Sequence, residues 1–183
     1  MKGWTTRRED GDRALRSGME ALLPRLRRFA RGLTGNASDA DDLVQAACVK
    51  ALCNADGWTN GTRLDSWLYR IVHTAWLDEL RRRRHRVSAN LDEAEEEAGG
   101  DVVAHVEARL RLEEVERLMA DLPVEQRAVL LLVCVEGLGY REAASVLGVP
   151  VGTVMSRLAR ARAALLTRLG ETPRRVADGA GHP

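Results

Sequence analysis

Strand-type alternation of apolar and polar residues is hard to find anywhere in this chain, and aromatics make up only 4% of its 183 residues. A sheet-based core has little to draw on, whereas the dominant Leu, Ala, Val, Arg and Glu suit helices. The expectation is an all-helical protein, long enough for one large domain or two small ones. Long apolar runs are missing too. The longest, Ala128 to Val135, is far too short to cross a bilayer, and the first residues are charged and polar rather than those of a secretory signal. Cys48, Cys53 and Cys134 have neither CxxC spacing nor an even count, so they read as small buried apolar residues in a reducing compartment. No metal-ligand cluster, nucleophile triad or glycine-rich phosphate loop is legible, and His73, His85, His105 and His182 are scattered. A soluble cytoplasmic protein with no membrane insertion, no cofactor, no metal and no catalytic activity is expected.

Charge is present in abundance but unevenly placed. Residues 1–86 carry 17 basic and 11 acidic side chains, a balance of +6. Between Val87 and Glu107 lie seven acids (Asp92, Glu93, Glu95, Glu96, Glu97, Asp101, Glu107) and no Lys or Arg. Residues 108–183 hold 11 basic and 9 acidic, a balance of +2. Two basic modules joined by an acidic, flexible linker is the organisation this predicts.

The densest signal runs from Tyr140 to Ala163, YREAASVLGVPVGTVMSRLARARA. Gly148 suits the positive-φ position that ends a helix, and Pro150 can sit at the start of the next. Ala143 and Ala144 are small enough for a close helix crossing. Val154, Leu158, Ala161 and Leu165 recur at three- and four-residue spacing as a buried stripe. Thr153, Ser156, Arg157 and Arg160 then fall on the opposite face. That is the layout of a helix-turn-helix whose second helix enters a DNA major groove, where hydroxyls and guanidinium groups reach bases and phosphates.

The rest of the chain divides into helices, loops and a linker. Residues 1–19 read as a loosely ordered polar extension. A first helix carries Leu22, Leu26, Phe29 and Leu33, with Pro24 in its opening turn and Gly35-Asn36 at its end. Ser38 is the expected N-cap of a second helix, with Asp41 at the capping-box position, running to about Leu52. Asn54 to Thr62 is a loop by composition. A third helix begins near Leu64 or Asp65 and ends in the cluster Arg81 to Arg86, whose arginines point around most of the helix and suit a phosphate backbone. Helical periodicity resumes from Val103 with Val106, Leu110, Val115 and Leu118, Pro123 opens a helix through Val135, and residues 171–183 read as a disordered tail.

Three segments in this order, Asp39 to Leu52 (DADDLVQAACVKAL), Asp65 to Arg84 (DSWLYRIVHTAWLDELRRRR) and Leu122 to Leu169, together resemble the extracytoplasmic-function sigma factors of bacteria, the smallest members of the sigma-70 family. The resemblance covers about Leu22 to Leu169. It implies a region 2 helical domain over 20–86, a linker over 87–107 and a region 4 domain over 108–170. By the same resemblance the first module binds the β′ clamp helices of core RNA polymerase through Asp41, Asp42 and Gln45, and melts the −10 element. A solvated first turn that only caps its helix is the bland reading of these three residues. Trp58, Asn60, Arg63, Thr74, Arg81, Arg82 and Arg84 are the −10 DNA candidates, since unpaired bases are held by cationic grooves and stacking surfaces. Trp67, Tyr69 and Trp76 read instead as core or half-core residues. Arg141, Thr153, Ser156, Arg157 and Arg160 are the −35 candidates. The linker would thread polymerase channels, although a plain charged spacer accounts for it equally. The polymerase β flap and an anti-sigma factor complete the implied partners. The chain departs from the family at Ala46, where an acid usually follows the glutamine, at Thr74, where Asn is common, and at Met155, where Lys is common.

The rival reading from the residues is an autonomous helix-turn-helix repressor or activator on a palindromic operator, which leaves the second and third helices without a task. A protein-binding adaptor is the other.

Overall fold

The computed structural model describes residues 3–89 and 117–169. Helix α1 spans Gly3–Thr34, α2 Ala37–Cys53 and α3 Leu64–Ala89, with a short 3-10 turn at Ala55–Gly57. In the second part α4 spans Val124–Leu130 and widens into a π-helical turn at Leu131–Val135, and then come α5 Tyr140–Leu147 and α6 Val151–Arg168. Every regular element among the described residues is helical, as the missing alternation predicts. The remainder of the acidic linker, the Val103 to Val115 periodicity and the tail lie outside the described residues.

Helix α1 starts well before the position expected of it. Leu15 and Met19 are core residues, and with Leu22, Leu26, Phe29 and Leu33 they form one stripe at three- and four-residue steps. The extension reading of 1–19 is therefore corrected for its helical part. A single buried Leu or Met is worth about 1.5–3 kcal/mol, enough to hold a charged helical stretch against the bundle. Pro24 consequently stands inside the helix rather than in its first turn, at the cost of one backbone bond. Gly35, at φ +84°, turns the chain out of α1. The N-cap of α2 is Asn36, not Ser38: its Oδ1 accepts from the Asp39 amide at 2.8 Å.

Helices α1, α2 and α3 pack mutually, with Phe29 edge-on to Tyr69 at a centroid distance of 5.1 Å in the centre. In the second lobe α4 and α5 both pack on α6. Trp76 and Tyr69 are buried and Trp67 half-buried, as expected of core and half-core residues. The cysteines depart from expectation: Cys48 is half-buried, while Cys53 and Cys134 are exposed.

The two lobes share one continuous core rather than standing apart, with α3 against α5 and α1 against α4 and the π-turn. Gly32 makes room for Leu131; a Cβ there would lie 2.5 Å from the Leu131 side chain. Two buried charges bridge the seam. Arg127, on α4, donates from Nη1 to the Leu33 carbonyl at 2.8 Å and from Nη2 to the carbonyls of Leu122 (3.0 Å) and Ala120. Leu33 lies in the last turn of α1, where carbonyls lack helical partners, so the guanidinium serves as a C-terminal cap supplied by the other lobe. Burial holds the Arg127 pKa below its ordinary value.

Glu136 is the second bridge. Its amide bonds the Leu131 carbonyl at 2.9 Å, the closing bond of the π-turn. A π-turn adds one residue to the helical repeat and so rotates the downstream residues by about one residue's worth of turn, about 100°. The outcome is that Cys134 and Val135 face solvent while the Glu136 side chain is fully buried. Arg28 donates to it at 2.8 and 3.0 Å, Arg25 donates to Oε2 at 3.1 Å and to the Glu136 carbonyl at 3.0 Å, and the Tyr69 hydroxyl donates to Oε2. Burial alone would push the carboxyl up, but the bonds from Arg28, Tyr69 and Arg25 outweigh it and hold the pKa below the ordinary carboxylate value. Tyr69 moves the opposite way, raised first by burial and then by its bond to Glu136. At neutral pH the cluster is an ionised carboxylate between two arginines and a neutral phenol.

Candidate nucleic-acid interface

The helix-turn-helix forms as its glycines and proline dictate. The Gly139 amide donates to Glu142 Oε2 at 2.9 Å and fixes the start of α5. Gly148 adopts φ +65°, the left-handed conformation that ends a helix, and Pro150 is the N-cap residue of α6. Val154, Leu158 and Ala161 are buried and Leu165 is half-buried, which matches the predicted stripe. On the outer side Ser156 and Arg160 are exposed and linked. Arg160 Nε donates to the Ser156 carbonyl at 3.3 Å and Nη2 to its Oγ at 3.4 Å. Arg141 and Met155 are also exposed. Thr153 and Arg157 are only half-exposed.

Arg157 has a neighbour that the sequence does not announce. His73 on α3 is buried, and its pKa is lowered to about 4 by that burial and then by the charge of Arg157. The imidazole is therefore neutral at neutral pH and does not repel the guanidinium.

The first lobe carries a cavity of about 380 Å³ lined by Lys50, Asn54, Gly57, Trp67, Arg70, Ile71 and Thr74. Trp67 and Ile71 supply apolar surface and Lys50 and Arg70 supply positive charge. Asn54 is held by donating from Nδ2 to the Lys50 carbonyl at 2.8 Å. An apolar surface with a cationic rim is what an unpaired base and its phosphate require. Of the sequence candidates only Thr74 lines this cavity. Trp58 packs half-buried against the core with its indole N–H buried and unbonded, and Asn60 is exposed on the loop beyond it. Asn54, Trp67 and Arg70 fall within the segment Asn54 to Arg84 that the family resemblance assigns to −10 reading, whereas Lys50, on α2, lies outside it and no local spacing reveals that it meets them.

Several of the arginines expected on DNA are engaged within the fold. Arg63 pairs with Asp65 at 2.6 Å and with Glu142 of the helix-turn-helix. Arg81 pairs with Asp78 (2.9 Å) and Arg82 with Glu79 (2.9 Å), while Arg83 bonds both Glu79 and Asp39 and lies over the Trp76 ring. Arg84 alone of the four consecutive arginines has no acidic partner among the described residues. These pairs are surface pairs of small worth, so a phosphate can displace the acids at little cost.

The third feature is the outer face of α2. Asp41, Asp42 and Gln45 are exposed there, and Asp41 pairs with Arg27 at 3.2 Å. Val49 and Leu52 continue the same face at three- and four-residue steps, 55% and 45% exposed. Two exposed aliphatic side chains thus lie beside acids and an amide on this face.

The helix-turn-helix lobe defines a DNA-binding class of protein, and the helical lobe packed against it carries a cationic cavity beside Trp67. Comparison with known proteins supplies the family. The sigma-70 region 2 model matches residues 19–86 and the sigma-70 region 4 model residues 112–165. The chain is 37% identical over 158 residues to the ECF RNA polymerase sigma factor EcfG of Rhodopseudomonas palustris, spanning 83% of each protein. It is 41% identical over 145 residues to the ECF RNA polymerase sigma factor SigM of Mycobacterium tuberculosis, 79% of this chain and 71% of that one. Among solved structures it resembles the sigma factor RpoE of Bartonella quintana, determined with the anti-sigma factor NepR, at 28% identity and a TM-score of 0.76 over 85% of this chain and 96% of that one. It also resembles CnrH, determined with the cytosolic domain of CnrY, at 29% identity and a TM-score of 0.65 over 86% and 88%. The chain belongs to the extracytoplasmic-function RNA polymerase sigma factors of the sigma-70 family, which are non-enzymatic directors of transcription. No helix among the described residues is long and apolar enough to cross a membrane.

Proposed function

We propose that this sigma factor binds core RNA polymerase through the α2 stripe Asp41, Asp42, Gln45, Val49 and Leu52, and divides promoter reading between its two lobes. The −35 element is read in the major groove by Thr153, Ser156, Arg157 and Arg160, with Arg141 on a phosphate from α5. The −10 strand, once melted, places one base in the cavity over Trp67, where Lys50 and Arg70 neutralise the backbone and Asn54 and Thr74 face the base edge. Asn60 lies at the rim of that loop, and Arg84 takes the duplex phosphates upstream. Thr74 offers one hydroxyl where an Asn would offer an amide, so the base chosen differs from that of relatives carrying Asn. Relatives are held by anti-sigma factors, as the RpoE–NepR pair shows for RpoE, and one covering these same surfaces is expected here.

The observation that carries this reading is the pairing, in one chain, of an exposed Ser156–Arg160 edge with an aromatic-lined cationic cavity. A band-shift experiment on promoter duplex with and without core polymerase tests it. The chain alone should bind weakly and core should convert it to a stable complex. Tight binding by the chain alone to a palindromic duplex, unaffected by core, would assign it instead to autonomous repressors or activators.

A further inference from the structure

The outer side of α6 is not uniformly polar. Val151, Met155 and Ala159 stand there at four-residue steps, all exposed, with 52% of Met155 open to solvent. A helix turns about 100° per residue, so residues four apart form a row that drifts slowly around the axis. This row runs beside the one made by Ser156 and Arg160, and Gly152 falls between the two. It takes no part in the packing stripe, where Val154, Leu158 and Ala161 are buried. Single exposed apolar residues are ordinary on a protein surface. Three in register beside the Ser156–Arg160 edge call for a reason.

We propose that Met155, flanked by Val151 and Ala159, selects thymine in the −35 element by packing against its C5-methyl group. The inference rests on the −35 reading above and adds which base this row chooses. Among the groups that distinguish base pairs in the major groove, the thymine methyl is the apolar one, and the others donate or accept hydrogen bonds. A thioether has no donor and only a weak acceptor, so Met155 gains little from a polar base edge. Its unbranched, flexible side chain adapts readily to a small apolar neighbour.

Three observations favour a duplex over a protein as the occupant of this row. The apolar row adjoins Ser156 and Arg160, so one groove edge meets both. Helix α6 carries Arg157, Arg160, Arg162 and Arg168 and no acid, a charge that complements a polyanion. Gly152 completes the case. A Cβ built there meets nothing within 4 Å, and its φ is not positive, so neither packing nor backbone conformation within the described residues calls for glycine. Glycine weakens a helix. Its missing side chain lets the groove floor approach between the two rows.

The test uses the full chain bound to core RNA polymerase. Duplexes randomised across both promoter elements are selected for binding. The enriched −35 element is then made with thymine and, one position at a time, with deoxyuridine, which lacks only the methyl. At one or more positions the parent should bind the deoxyuridine duplex about fourfold more weakly, the loss expected for one buried methyl-sized group. Met155→Gln should bind the two duplexes equally. Its helical circular dichroism should match the parent's, since the Met155 side chain is exposed. A −35 element without thymine, or equal affinity of the parent for all the duplexes, overturns the proposal and leaves the row to a protein partner. A folded Met155→Gln that keeps the parent's full discrimination overturns it too. Failure of the −35 reading itself looks different, because then no −35 element is enriched at all, and both fall together.

Discussion

Replacing Arg157 and Arg160 together by alanine lowers transcription from a promoter carrying the −35 element about a hundredfold. That magnitude rests on a worth of about 1–3 kcal/mol for each good arginine contact to a base edge, with 1.4 kcal/mol per factor of ten. Arg160 is exposed and Arg157 half-exposed at the flank of the stripe Val154, Leu158 and Ala161, which carries the packing, so helical content should not change. The two arginines are not equivalent in the free chain. Arg160 is exposed and tied to Ser156, while Arg157 is half-exposed near His73. Two signatures separate loss of reading from loss of fold. On a template with a scrambled −35 element, parent and variant should give the same residual transcription. The slope of affinity against salt should also fall by about one for each phosphate contact removed. A variant that keeps full −35 dependence would remove α6 from its assigned role.

Phe29→Ala is the corresponding test of the fold. Phe29 is fully buried, is the only phenylalanine in the chain, and meets Tyr69 edge-on at 5.1 Å with the planes at 73°. Truncating such a ring costs about 3–5 kcal/mol from lost transfer energy and the cavity left behind. That is a large part of a total stability of about 5–15 kcal/mol. With a urea slope of about 1–3 kcal/mol per molar, the unfolding midpoint should fall by about 2 M. The loss has a second consequence, because Tyr69 is both the partner of Phe29 and a donor to Glu136. The variant should therefore loosen the seam between the lobes as well as the first lobe's core. A midpoint displaced by less than a few tenths molar would mean that α1 is not seated as described.

What the sequence shows most legibly is what short-range geometry enforces. Gly148 and Pro150 mark the turn of the helix-turn-helix because only particular φ values suit them, and the stripe Val154, Leu158, Ala161 comes from helical repeat alone. The start of α1 is hidden because the apolar pair Leu15 and Met19 sits among charges that read as a solvated tail. Asn36 and Ser38 are both good caps by composition, and only backbone conformation chooses between them. Glu136 and Arg127 are invisible for a different reason. Their partners lie 111 and 94 residues away, and nothing in a local window separates a buried glutamate from an exposed one. The same limit hides the share of Lys50 in the cavity at Trp67, since the loop and helix from Asn54 to Arg84 are legible as a −10 segment but their meeting with α2 is not. The Arg81 to Arg83 stretch is legible only in part. Its positive charge is legible, but its neutralisation by Asp78, Glu79 and Asp39 needs the fold.

The central claim is that this chain gives core RNA polymerase the ability to start at defined promoters. Run-off transcription with purified core polymerase, on templates with and without the −35 and −10 elements, measures it directly. The account predicts a discrete transcript only when chain, core and both elements are present. A transcript of the same yield without the chain, or none from any promoter fragment despite a folded chain, would contradict it.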